Sequence, residues 1–191
     1  MEVRAVFLVG FMASGKSSVG QELARRLRWD FVDLDARIES REGQSIVEIF
    51  RVRGEHDFRH AETAALRDLT ESLARDSVVA LGGGTFAQAK NRGLLRHWPS
   101  VFLETSLDEL WRRSLEDTTK RPLRKDRIEF AHLYEYRLPF YRQATATVET
   151  SGKNLGSICA EIETALQIGQ VKTGGSRSSD SSRKSETGGT R

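Results

Sequence analysis

Five short apolar runs punctuate this chain: Ala5–Val9, Phe31–Val32, Val78–Leu81, Val101–Leu103 and Ala146–Val148. Their length and composition read as strands. Between them, apolar side chains recur at i, i+3 and i+4 along Ser17–Leu27, Ala36–Arg41, Ser45–Val52, Glu55–Leu73, Leu107–Leu115, Arg127–Arg142 and Leu155–Ile168. That period belongs to helices that bury one face. Strand then helix, repeated along the chain, predicts an α/β fold in three layers, a five-stranded parallel sheet with helices on both faces. Ligands bind such sheets beyond the carboxyl ends of the strands, so the loops that follow the strands are where chemistry is expected.

The alternation ends near residue 170. In 171–191, thirteen of the 21 residues are Gly, Ser or Thr, and no aliphatic or aromatic side chain follows Val171. Such a segment cannot bury enough surface to offset the entropy of ordering it. The expectation is one domain over 1–170 and a disordered, weakly basic tail over 171–191.

Placing the charge changes its meaning. The whole chain carries 30 basic and 27 acidic residues, and the tail holds five of the basic against two of the acidic. The domain is therefore neutral, and no nucleic-acid-binding face is expected. A single cysteine, Cys159, excludes a scaffold built on internal disulfides. No apolar run approaches the roughly 20 residues that span a bilayer, and no cleavage site follows the first apolar run. A cytoplasmic protein without a membrane partner is expected, acting as a monomer.

The loop after the first strand reads Gly10-Phe-Met-Ala-Ser-Gly15-Lys16-Ser17, a full match to GxxxxGK[ST] between a strand and a helix. By composition alone those four fixed positions arise roughly once in a hundred chains of this length. Its backbone N–H groups and the helix dipole behind it suit phosphates. Ala13, Ser14, Gly15, Lys16, Ser17 and Ser18 are thus candidate nucleotide contacts, with Lys16 aimed at the β- and γ-phosphates and Ser17 at Mg²⁺. P-loop enzymes commonly end a buried strand with a metal-binding acid, yet Val78–Leu81 runs into Gly82-Gly83-Gly84. The second strand ends instead in Asp33-Leu34-Asp35. Two residues apart in extended chain, the carboxylates would face the same way. One would steer metal-bound water and the other accept a proton from a substrate hydroxyl. The competing explanation is helix capping, since Asp35 precedes an amphipathic run.

Seven segments, GFMASGKSSVG, FVDLD, GQSIVEIF, GEHDFRHAE, LGGG, KRPL and RLPFY, occur in this order between Val3 and Glu149. Together they resemble the shikimate kinase family. The resemblance implies a nucleoside-monophosphate-kinase-like P-loop fold with a substrate-binding helical segment and a mobile lid. It implies Mg²⁺- and ATP-dependent phosphorylation of the 3-hydroxyl of shikimate, a step of aromatic amino-acid biosynthesis. By the same resemblance Asp33 would hold Mg²⁺ and Asp35 would bind the shikimate hydroxyls and orient or deprotonate the attacking one. Arg59 and Arg137 would grip the carboxylate. Gly83, next to Gly82, would offer a backbone N–H to a ring hydroxyl. Arg121 would close from the lid onto the phosphates. Arg113 would stack on adenine, with Arg112 as the alternative, and Lys153 would flank the base.

A guanidinium suits a small carboxylate because it pairs with it through two parallel hydrogen bonds. The simpler role for Arg59 is an ion pair with Glu55 or Glu62, worth about 0.3–0.5 kcal/mol on a helix surface. Three departures from the family pattern are visible: Ala13 stands where glycine is frequent, Arg124 replaces an aliphatic in the lid, and Thr85 follows the triple glycine where a smaller residue is common.

Overall fold

A computed structural model of the chain describes residues 5–116 and 126–169. The proposed tail over 171–191 and the lid residues Arg121 and Arg124 lie outside the described residues.

Five parallel strands, β1 (Ala5–Val9), β2 (Asp30–Asp33), β3 (Ser77–Ala80), β4 (Ser100–Glu104) and β5 (Ala146–Glu149), form one sheet in the order β2-β3-β1-β4-β5. β1 is central and pairs on both sides: Phe7 lies opposite Val79 of β3 and Ser100 of β4. Every β1 residue is buried, which is why its sequence is an unbroken apolar run rather than an alternating one. Successive side chains leave a strand on opposite faces. Ala5, Phe7 and Val9 accordingly enter one core with Leu34, Ile49, Leu66, Phe130 and Tyr141. Val6 and Leu8 enter the other with Val19, Leu23, Ile158 and Ile162.

Helices α1 (Lys16–Leu27) and α7 (Leu155–Leu166) cover that second face. The first is covered chiefly by α2 (Leu34–Glu42), α3 (Ile46–Ser72), α5 (Leu107–Glu116) and α6 (Arg127–Tyr141). The two helices expected over 45–73 together make up α3 and meet at a kink at Gly54, whose φ of 79° and ψ of 174° are not helical. Two elements were not expected, a short 3-10 turn at Thr85–Ala87 and α4 (Ala89–Leu95). The sequence of α4, AKNRGLL, has apolar side chains only at its two ends, so it carries no helical period. β2 is longer than its apolar pair because Asp30 and Asp33 also take part in the ladder, opposite Ser77 and Ala80.

Candidate active site

The loop from Gly10 to Gly15 leaves β1 at its carboxyl end and delivers the chain into α1. Ala13 adopts φ 63° within it, the left-handed region. The Lys16 ammonium lies back across the loop, donating to the Phe11 carbonyl at 2.8 Å and lying 3.4 Å from the Ser14 hydroxyl. A cleft of about 590 Å³ opens over this loop. Ala13 through Val19 line it together with Asp33, Asp35, Leu81 and Gly83. Arg113 of α5, Thr150 and Lys153 after β5, and Leu155 and Ile158 of α7 complete its wall.

Asp33 ends β2 and is also the N-cap of α2. Its Oδ1 accepts the backbone N–H groups of Asp35 and Ala36 at 3.0 and 3.3 Å, while its Oδ2 accepts the Ser17 hydroxyl at 2.8 Å. The capping expected of Asp35 therefore belongs to Asp33. Nor do the two carboxylates share an extended segment, because Asp33 has φ −97° and ψ 118° whereas Asp35 lies in the first helical turn. They still face one cleft, brought there by the strand-to-helix turn rather than by alternation.

The triple glycine is where four other side chains meet. A Cβ on Gly82 would lie 2.6 Å from Asp35 Oδ1, and one on Gly84 would lie 2.6 Å from Arg59 Nη1. Both glycines therefore admit a charged group against bare backbone. The Gly83 carbonyl accepts hydrogen bonds from Arg137 Nη1 at 3.2 Å and from the Tyr141 hydroxyl. Arg137 is 5% exposed, its guanidinium 5.8 Å from the centre of the Phe11 ring. Burial raises the Tyr141 phenol pKa well above its ordinary value, so it remains a donor.

Arg59 makes both of the ion pairs weighed for it, to Glu55 at 2.9 Å and to Glu62 at 3.0 Å. This is not a solvated surface pair, because the Arg59 side chain is 17% exposed and that of Glu62 only 1%. Burial pulls the guanidinium pKa down, but the two carboxylates outweigh it and hold Arg59 above its usual value. Arg59 also lies over the Phe58 ring at 5.1 Å.

Of the two arginines considered for the base, Arg113 lines the cleft, its Nη1 within 3.9 Å of where a Gly15 Cβ would be. Arg113 is anchored by Glu109 at 2.7 Å, and hydrogen bonding to Arg113 keeps the Glu109 carboxyl below the ordinary range. Arg112 is on the outer face with Glu116 at 2.6 Å. Lys153 reaches Glu161 at 2.7 Å. Ser14, Gly15 and Ser18 lie on the cleft as expected from the loop motif. Sequence reasoning missed Thr150, Leu155 and Ile158, which lie far along the chain and belong to no motif. It also assigned no role to Tyr141, although Tyr141 closes the RLPFY segment that begins at Arg137.

A phosphate loop at a strand–helix junction, an aspartate pair across from it and two shielded arginines at an adjoining glycine turn define a P-loop kinase for a small anionic acceptor. The shikimate kinase family model matches residues 12–167. A shikimate kinase of Geobacter metallireducens is 42% identical over 168 residues, covering 86% of this chain and 93% of its own. One from Persephonella marina is 38% identical over 161 residues, covering 84% and 97%. A solved structure of shikimate kinase from Acinetobacter baumannii in complex with shikimate superposes with a TM-score of 0.80 at 33% identity, covering 87% of this chain and 94% of that one. This chain belongs to the shikimate kinase family, whose members are ATP-dependent kinases.

Proposed function

We propose that this chain transfers the γ-phosphoryl group of ATP to the 3-hydroxyl of shikimate, giving shikimate 3-phosphate and ADP. The observation that carries this reading is the convergence of Asp35, Arg59 and Arg137 on the Gly82–Gly84 turn, alongside the phosphate loop. Arg59 and Arg137 take the substrate carboxylate, with the Gly82–Gly83 backbone near a ring hydroxyl. That leaves a hydroxyl facing Asp35, which orients it and accepts its proton as the oxygen attacks the γ-phosphorus. Lys16 swings from the Phe11 carbonyl onto the phosphates, and the loop from Ala13 to Ser18 cradles them. Arg121 meets the charge on the transferring group, a contribution worth roughly 10³–10⁵ in rate where an arginine finger acts. Arg113 and Lys153 flank the base.

Ser17 and Asp33 would hold Mg²⁺. Both present the hard oxygen donors that ion takes, and Mg²⁺ commonly keeps water for its remaining positions. Bound there, the ion would screen the phosphate oxygens. A cytoplasmic setting is consistent with a chain whose single cysteine, Cys159, forms no internal disulfide. We take the chain to act there as a monomer.

The test is ADP release from ATP and Mg²⁺ with shikimate, gluconate, AMP or no acceptor, for the wild type and Arg59→Ala. Shikimate-dependent turnover that collapses in the variant is expected. Turnover with gluconate or AMP in place of shikimate would refute the substrate assignment.

A further inference from the structure

Arg59 is fixed along one edge by Glu62, and Glu62 is in turn held by two side chains outside the roles proposed above. A carboxylate as buried as this one is tolerated only when its oxygens are well supplied with donors. Glu62 Oε1 accepts the Thr85 hydroxyl at 2.6 Å. Glu62 Oε2 accepts the Gln88 amide at 2.5 Å and Arg59 Nη1 at 3.0 Å. Thr85 is fully buried and opens the 3-10 turn directly after Gly84, and Gln88 closes that turn. The turn itself is pinned from behind. Asn91 donates to the Thr85 carbonyl at 3.0 Å, and Arg92 donates to the Phe86 and Ala87 carbonyls at 2.9 and 2.8 Å. Glu55, on the other edge of the guanidinium, is 53% exposed. Only the Glu62 side is built rigidly.

We infer that Thr85 and Gln88 are positioning residues for substrate binding: by fixing Glu62 they hold the Arg59 guanidinium in the orientation that receives the acceptor's carboxylate. The inference rests on the reading that Arg59 takes that carboxylate. An arginine already oriented loses less freedom on binding than one the substrate must order. The carboxylate is remote from the transferred phosphoryl group, so a loosened guanidinium weakens shikimate binding and leaves the chemical step alone. It shows in KM rather than in kcat.

The experiment measures shikimate KM and kcat, with calorimetric Kd alongside, for Thr85→Val, Thr85→Ser and Gln88→Leu, each in the wild-type and Arg59→Ala backgrounds. In the wild-type background, Thr85→Val raises shikimate KM and Kd about tenfold and Gln88→Leu about fourfold, with kcat and the KM for ATP within about twofold. Thr85→Ser keeps the hydroxyl and stays within about twofold of wild type. In the Arg59→Ala background neither Thr85→Val nor Gln88→Leu raises Kd further, the non-additivity of residues acting through one contact. Equal increases in both backgrounds, a loss carried by kcat, or a Thr85→Ser variant as impaired as Thr85→Val would overturn the inference. Should Thr85→Val not fold, Gln88→Leu at its partly exposed position decides the same question. Arg59→Ala separates the two readings. If it leaves Kd unchanged, the carboxylate assignment fails. If it weakens binding while Thr85→Val and Gln88→Leu do not, only the positioning role fails.

Discussion

Ala13 carries a conformation that its side chain opposes. Its φ of 63° places an L residue in the left-handed region, which costs about 1–2 kcal/mol relative to the right-handed one. Glycine at this position removes that strain and returns part of the gain as unfolded-chain entropy. Ala13→Gly is therefore expected to stabilise the protein by about 0.5–1 kcal/mol, measured by urea unfolding with an unchanged m-value. A neutral or destabilising result would mean the loop relaxes its strain elsewhere. Lys16, Ser17 and the two aspartates could be read from the sequence because each lies in a contiguous motif with a physical mechanism. The Glu62–Thr85–Gln88 contacts could not. They join α3 to a turn beyond β3, and spacing along the chain says nothing about that meeting until β2, β3 and α3 are packed together. The local geometry of the aspartate pair was not legible either. Alternation places both aspartates in extended chain, whereas Asp33 caps the start of α2 with one oxygen and Asp35 already lies in its first turn.

At the scale of elements, the apolar runs gave the five strands because a doubly covered parallel sheet buries both faces of its inner strands. The helices with a full amphipathic period were equally legible. What failed was α4, seven residues long and without that period, and the ends of β2, where backbone pairing extends beyond the apolar side chains. Gly54 is the informative boundary. The pattern divides 45–73 into two helices, and the structure joins them across a kink at Gly54, where φ is 79° and ψ 174°. This region of backbone space is essentially restricted to glycine, and other residues held there store about 1–3 kcal/mol of strain. A Cβ added at Gly54 would meet nothing within 4 Å. The effect of substitution is thus purely conformational. Gly54→Ala should lose about 1–3 kcal/mol in urea unfolding. Because Glu55 and Arg59 follow immediately, it should also raise the KM for shikimate. Unchanged stability would show that the helix can straighten through this point without penalty.

For the whole molecule, the sheet order determines how the cleft is assembled. β3 lies between β1 and β2, so the glycine turn after β3, Asp33 and Asp35 after β2, and the phosphate loop after β1 open side by side. β4 and β5 lie on the other side of β1, which brings Arg113 of α5 and the Thr150–Lys153 segment to the same cleft. Apart from Arg137, which α6 carries from between β4 and β5 to the Gly83 carbonyl, the acceptor is thus assigned to groups from one half of the sheet and the base to groups from the other. Two consequences for ligand-induced stability follow. Ligand at a hundred times its Kd stabilises the folded state by about 2.7 kcal/mol, or roughly 5–10 °C for a domain of this size. In thermal melts, Arg59→Ala should lose most of the shift given by shikimate and keep that given by MgADP. Lys153→Ala, whose side chain otherwise reaches Glu161 on the surface, should do the reverse. The two losses should add in the double variant, since residues without shared partners act independently. If either single change instead abolished both shifts, the two halves of the cleft would have to be one cooperative unit, and assigning separate ligands to them would fail.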